Sequence, residues 1–258
     1  MTGTGIVGEV TALGSLIVND QRITFEADTP VSSALGQTQA ERLVPGDTVA
    51  IAVEPGRTDW TAIAITQTHP LIGPVSDTAE GGFTALGVSV NWPEPPTPGT
   101  WVAVSGFWTP EGIRATRVDL IPPRDTISLQ GSYSLGQRAG MTRVGTRVLD
   151  IEPLQHAAEG DVIRVTGTLE GGRIKVTDVH HGLFEKPVSL VLAEGYLSSV
   201  APSGHYTVGG SGLAGYTDNL QATMDTSRIR VCGTQGQMGQ IEPRENAEVL
   251  RRLGCPGT

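Results

Sequence analysis

Residues 43–54 read LVPGDTVAIAVE. A Pro-Gly-Asp turn leads into a run in which Val49, Ile51 and Val53 alternate with smaller residues. Period two over such a run marks a β-strand with one buried face. The stretch decides the fold because it returns. It recurs as PTPGTWVAVSGFW at 96–108, as AAEGDVIRVTGTLE at 157–170 and, more loosely, as SRIRVCGTQGQ at 227–237. The copies also share neighbours. Ahead of them stand GIVGEVTALGSLIVNDQRITF (5–25), LIGPVSDTAEGGFTALGVSV (71–90), LQGSYSLGQRAGMTRVGTRVLD (129–150) and AEGYLSSVAPSGHYTVGGSGL (193–213). Behind the first three come WTAIAITQT (60–68), GIRATRVDLI (112–121) and GGRIKVTDVHHG (171–182).

Alignment of the copies places Gly8, Gly73, Gly131 and Gly195 at one position. Gly46, Gly99 and Gly160 share a second, and Gly106, Gly167 and Gly233 a third. The glycine of the central turn is expected to permit positive φ or a tight bend. Asp47 and Asp161 follow it, with Thr100 in the second copy, and a short acceptor there is expected to bond the turn backbone. Five or six short strands in roughly 60 residues can close into a barrel, which removes the exposed edge. The expected fold is all-β: four tandem small antiparallel barrels over residues 1–68, 69–123, 124–186 and a divergent 187–258. A short C-terminal helix is expected to seal the fourth, with Pro243 near its start, a stripe of Val249, Leu250 and Leu253, and Gly254 and Pro256 at its end. Thr38-Gln39-Ala40-Glu41 matches a capping box, so a helical turn is expected before Pro45-Gly46. The joins THPLIGP (68–74), LIPPRDTIS (120–128) and HHGLFEKPVS (180–189) are short and each contains proline, which predicts a semi-rigid array.

Composition agrees. Only 17% of the 258 residues are charged, while Gly (34) and Pro (17) are abundant, a balance that suits turns more than long helices. The net charge of −9 repels phosphate, which argues against nucleic-acid partners and anionic lipid. No apolar run approaches the about 18–20 residues of a membrane span. The opening MTGTGIVG has neither a basic start nor a long apolar stretch, so the protein is expected to be cytosolic or to have lost an export signal.

At this point the pattern of G-x-V/I, short hairpin, GD-x-V-x-V-x-G and closing A-x-x-V/I strand resembles the bacterial repeat family called domain of unknown function 5666. The resemblance covers most of the first three units. The fourth departs, with Thr226 in place of the central glycine and two added cysteines. It implies small OB-like barrels and export to the periplasm or beyond. It brings no reaction and no catalytic residues.

Motifs for chemistry are sparse. Gly3, Gly5 and Gly8 spell G-x-G-x-x-G, but a dinucleotide fingerprint needs a strand before it and a helix after it, and here a strand follows. No cofactor is expected. GGSGLAG at 209–215 lacks the spacing of a nucleophile elbow around Ser211. Of the five histidines (His69, His156, His180, His181, His205), the adjacent pair His180 and His181, with His205, is the candidate metal set, although strand neighbours face opposite sides. Cys232 and Cys255 form an even pair that fits a structural disulfide and an oxidising compartment. Trp92, Trp101, Phe107 and Trp108 cluster beside WPEPPTPGTW and are the candidate ligand surface, binding by stacking; the plainer reading puts Trp101 and Trp108 in the core. The expected function is a non-enzymatic binding or scaffolding protein of the bacterial envelope, partnered by an envelope protein, peptide or glycan. A carbohydrate or peptide binder at the aromatic surface, a hydrolase at a joint and a metal carrier are the alternatives.

Overall fold

The computed structural model describes residues 3–12, 14–26, 29–55, 59–136, 141–151, 154–200, 205–216, 228–234 and 239–240. In the first unit, β1 (Gly3–Ala12), β2 (Leu16–Val18) and β3 (Gln21–Thr24) form an antiparallel meander. A hairpin follows, β4 (Pro30–Ser33) and β5 (Gly36–Gln39), then β6 (Thr48–Pro55) and β7 (Trp60–Thr68). β7 runs parallel to β3 and antiparallel to β6, and β6 returns to β1. The ring β1-β2-β3-β7-β6 therefore closes on itself. Ile6, Val10, Leu16, Ile23, Ile51 and Ile65 fill it, all fully buried.

The second unit repeats this circuit with β8 (Leu71–Ala79), β9 (Gly82–Ala85), β10 (Val88–Asn91), β11 (Trp101–Thr109) and β12 (Gly112–Ile121). β10 pairs parallel with β12, and β11 pairs with both β12 and β8, so this ring also closes. In the third unit, β13 (Ile127–Leu135), β14 (Thr142–Val144), β15 (Arg147–Leu149), β16 (Val162–Glu170) and β17 (Arg173–His181) keep the order, but β15 and β17 are not paired. In the fourth, β18 (Val188–Gly195), β19 (Leu197–Val200), β20 (His205–Val208), β21 (Leu213–Tyr216), β22 (Ile229–Thr234) and β23 (Gly239–Gln240) retain the parallel β21–β23 and antiparallel β18–β22 pairs. Four closed barrels were expected; two circuits close among the described residues. The expected C-terminal helix lies outside them.

The three glycines of the central turn are equivalent in φ and in backbone hydrogen bonding. Gly46, Gly99 and Gly160 have φ of +95°, +86° and +95°. Each donates its N–H to the first strand of its own unit, at Val10, Val75 and Tyr133, over 2.9, 2.8 and 2.9 Å. The same three residues donate back to the carbonyls of Asp47, Thr100 and Asp161. The Asp47 and Asp161 carboxylates accept the N–H of Val44 and Ala158, both at 2.8 Å, as the turn reading requires, whereas the Thr100 hydroxyl of the second unit bonds the Thr97 hydroxyl at 3.0 Å instead of the turn backbone. Gly106 and Gly167 sit at matching bulges in the β11–β12 and β16–β17 hairpins. Gly8, Gly73, Gly131 and Gly195 serve a different need. A Cβ on each would lie 2.4–2.8 Å from an atom packed over the first strand: Asn19, Leu86, Trp108 and Val208 respectively.

The capping box does not form. Thr38 belongs to β5, and the short 3-10 turn Ala40–Arg42 has Gln39 at its N-cap with no side-chain bond. Strand pairing already occupies Thr38.

Tertiary arrangement follows sheet pairing between units more than the joins. β1 pairs parallel with β18, tying the first unit to the fourth, and β8 pairs with β13, tying the second to the third. Consequently β6 is buried on both faces. Val49, Ile51 and Val53 point into the barrel, while Ala50 and Ala52 pack with Val191 and Val231 of the fourth unit. The one-sided strand expected from its alternation is thus corrected: small residues stand where another unit docks.

His69 marks the join of the first two units. It is 1% exposed and its Nδ1 has no hydrogen-bond partner among the described residues. Burial first, and the nearby Arg164 cation, lower its pKa to about 4, with Asp119 acting against them. The unfolded chain takes up this proton near the usual 6.5, the folded chain only near 4. The stability tied to neutral His69 is therefore complete above pH 6.5 and lost as pH falls towards 4, by on the order of 3 kcal/mol. Asp47, whose carboxyl is raised by burial, acts in the opposite sense around its own pKa. Urea unfolding at pH 7.5 and 4.5 is expected to show a smaller acid loss in His69→Gln than in the parent. Equal losses would remove His69 as the cause.

Candidate functional site

β10 forms the floor of a cleft in the second unit. Val88 and Val90 point into the second barrel, so Ser89 and Asn91 face outward. Glycines let its neighbours approach: a Cβ on Gly82 would meet the Val90 carbonyl at 2.5 Å, and one on Gly112 the Ser89 carbonyl at 2.2 Å. Asn91 is flanked across the ladder by Gly82 and Arg114. The β8–β9 and β11–β12 hairpin tips rise around this floor and enclose about 270 Å³. Asp77, Glu80 and Glu111 bring three carboxylates to the walls, against the single cation Arg114. Arg114 is held by the Tyr196 hydroxyl at 3.4 Å and lies 5.0 Å from that ring, so the fourth unit orients one wall. Thr109 is engaged locally, donating to the Gly112 carbonyl and accepting from the Glu111 N–H. The cleft thus offers acceptors and hydroxyls under a negative field, which suits polyhydroxylated or cationic ligands and disfavours anions.

The tryptophan cluster disperses. Trp108 (3% exposed) and Phe107 (4%) are buried where units meet. Trp108 Nε1 donates to the Gln130 carbonyl at 2.7 Å. Phe107 stacks edge-on with Tyr196 at 6.4 Å and lies 5.0 Å beneath the Arg228 guanidinium. Trp101 and Trp92 are half-buried against the core shared by the second and third units. Trp92 alone adjoins the cleft, its N–H bonded to the Gly81 carbonyl at 3.0 Å. Alternation placed Trp108 on a strand; nothing local said that the third and fourth units would cover it.

His180 and His181 are exposed neighbours at the end of β17, and His205 opens β20 opposite Val200. Cys232 is buried in β22, and its suggested partner Cys255 lies outside the described residues. Ser211, His156, His181 and Asp161 line a pocket of 470 Å³ between the third and fourth units. Ser211 is nevertheless committed: its hydroxyl donates to the Val208 carbonyl at 2.7 Å and accepts from the Leu213 N–H at 3.1 Å. The four-unit junction itself, lined by Val7, Phe107, Leu183 and Gly209 among others, encloses only 20 Å³, room for about one water. It is a packed seam.

Missed by the sequence reading were Asp77, Asn91, Glu111 and Arg114. Their only signal was exposure at hairpin tips. Among the described residues, no helix is long and apolar enough to cross a membrane.

Fold and cleft define an all-β protein of closed five-stranded circuits with a polar groove on one of them. Residues 4–66, which span the first circuit, match the family described as a domain of unknown function, number 5666. No curated protein and no solved structure matches the chain.

Proposed function

We propose that this is a non-enzymatic binding or scaffolding protein of the bacterial cell envelope, built from four OB-like units, which takes a glycan or a cationic peptide in the cleft of the second unit. The observation that carries the reading is the cleft itself: three carboxylates, Asn91 and Ser89 over a glycine-spaced floor. Barrel loops and the strands beneath them are a common place for such ligands. Envelope placement rests on the family resemblance and on the Cys232–Cys255 pair, which is proposed as a disulfide; a thiol count on denatured, unreduced protein checks it.

Trp92 provides the readout for the ligand. Titration of envelope glycans and of Lys/Arg-rich peptides is expected to change its fluorescence saturably. Asn91→Ala and Glu111→Gln are each expected to weaken binding about tenfold, the worth of one good hydrogen bond in a desolvated site, with the melting temperature unchanged. A full panel without response, or variants that bind as the parent does, would remove the cleft as the site.

A further inference from the structure

A second cavity, of opposite electrostatic character, lies away from the cleft, where the tip of the β4–β5 hairpin of the first unit leans over the sheet of the third. It encloses about 320 Å³. Strand register builds its floor. Ser128 on β13 stands opposite Thr166 on β16, and Gln130 opposite Arg164. Residues two apart on a strand share a face, so Ser128, Arg164 and Thr166 converge on one side of the ladder. Arg124 and Thr126, from the link between the second and third units, complete the wall, and Ser33 and Gly36 form the roof.

Three observations point to a ligand. Among the described residues no carboxylate lines the cavity, although the chain carries a net charge of −9. Arg164 is half-buried and, among the described residues, makes no ion pair or side-chain hydrogen bond, an arrangement that ordinarily calls for a counter-charge. The one carboxylate whose charge bears on it, Asp178, stands opposite Thr166 on β17 and forms no ion pair with it. Ser128 is 4% exposed, and its Oγ has no hydrogen-bond partner among the described residues. A buried hydroxyl without a partner is costly unless something fills that role. Guanidinium forks and hydroxyls together match the geometry of an oxyanion.

We infer that this cavity binds a small oxyanion, a phosphate, sulfate or carboxylate group, held by Arg164 and Arg124 with the Ser128 hydroxyl donating. The site is independent of the cleft in the second unit, and its test does not use that cleft.

Calorimetric titration and melting curves at constant ionic strength, with inorganic phosphate, sulfate or acetate replacing chloride, decide it. At least one anion is expected to bind saturably and raise the melting temperature. Binding of phosphate and sulfate alone assigns a tetrahedral group; binding of acetate alone assigns a carboxylate. Arg164→Gln is expected to weaken the affinity at least about tenfold and Ser128→Ala about threefold. Arg22→Gln, which removes a surface cation paired with Asp59, is expected to leave it unchanged. Should Arg164→Gln fail to fold, Ser128→Ala decides alone. Absence of saturable binding for all three anions overturns the inference, and so does undiminished affinity in the folded variants.

Discussion

Replacing Trp108 with alanine is expected to destabilise the protein by about 3–5 kcal/mol, the range for truncating a large buried aromatic. Its surroundings favour the upper end. The indole lies among four glycines from two other units. A Cβ on Gly145 would sit 2.6 Å from the ring, one on Gly131 2.8 Å from Nε1, one on Gly209 2.7 Å from the Trp108 Cβ, and one on Gly210 3.3 Å from Cδ1. Gly131 lies in β13 and the other three in tight hairpin turns, and glycine backbone has no side chain to swing into the vacated space, so the cavity collapses little. The Gln130 carbonyl loses its indole donor as well. Equilibrium unfolding in urea measures the loss. Trp92→Ala, in a half-buried residue packed at one edge of the core, is the comparison and is expected to cost well under half as much. If the two variants are equally stable, Trp108 does not hold the units together.

The second large effect is expected at Gly112. Its φ of +147° is one that side-chain-bearing residues rarely adopt, and a Cβ would stand 2.2 Å from the Ser89 carbonyl oxygen. That atom is backbone, fixed in the parallel ladder between β10 and β12, and cannot rotate away. Gly112→Ala therefore combines backbone strain with displacement of β10, about 3 kcal/mol in all. Gly81→Ala separates the two contributions: φ there is +78°, but a Cβ meets open space. It is expected to cost about 1 kcal/mol, from conformation alone. Displacement of β10 also moves Ser89 and Asn91, so Gly112→Ala is expected to abolish ligand binding in the cleft while Gly81→Ala weakens it less. Equal stability losses in the two variants would show that the close approach is not the cause.

The candidate sites were less legible than the strands. Asp77 and Glu80 belong to one hairpin, and Glu111 and Arg114 to another; only the pairing of β9, β10 and β12 makes them neighbours. The same is true of Ser128, Arg164 and Thr166, joined by the β13–β16 register. Periodicity says which way a residue points on its strand. It does not say which strand lies beside it, because ladder partners are set by closure of the ring and by docking of one unit on another.

What the sequence by itself determined is the unit. The spacing of Gly46, Gly99 and Gly160 and the alternating valines reappear as matching turns, backbone bonds and strands, since each depends on contacts within a few tens of residues. Tertiary structure alone decided that β1 pairs with β18, that Ala50 and Ala52 face another unit, and that Trp108 fills a seam. In the sequence these positions carry small or apolar residues, which report burial. What buries them is chosen by the summed fit of surfaces from different units, and no local pattern encodes that fit.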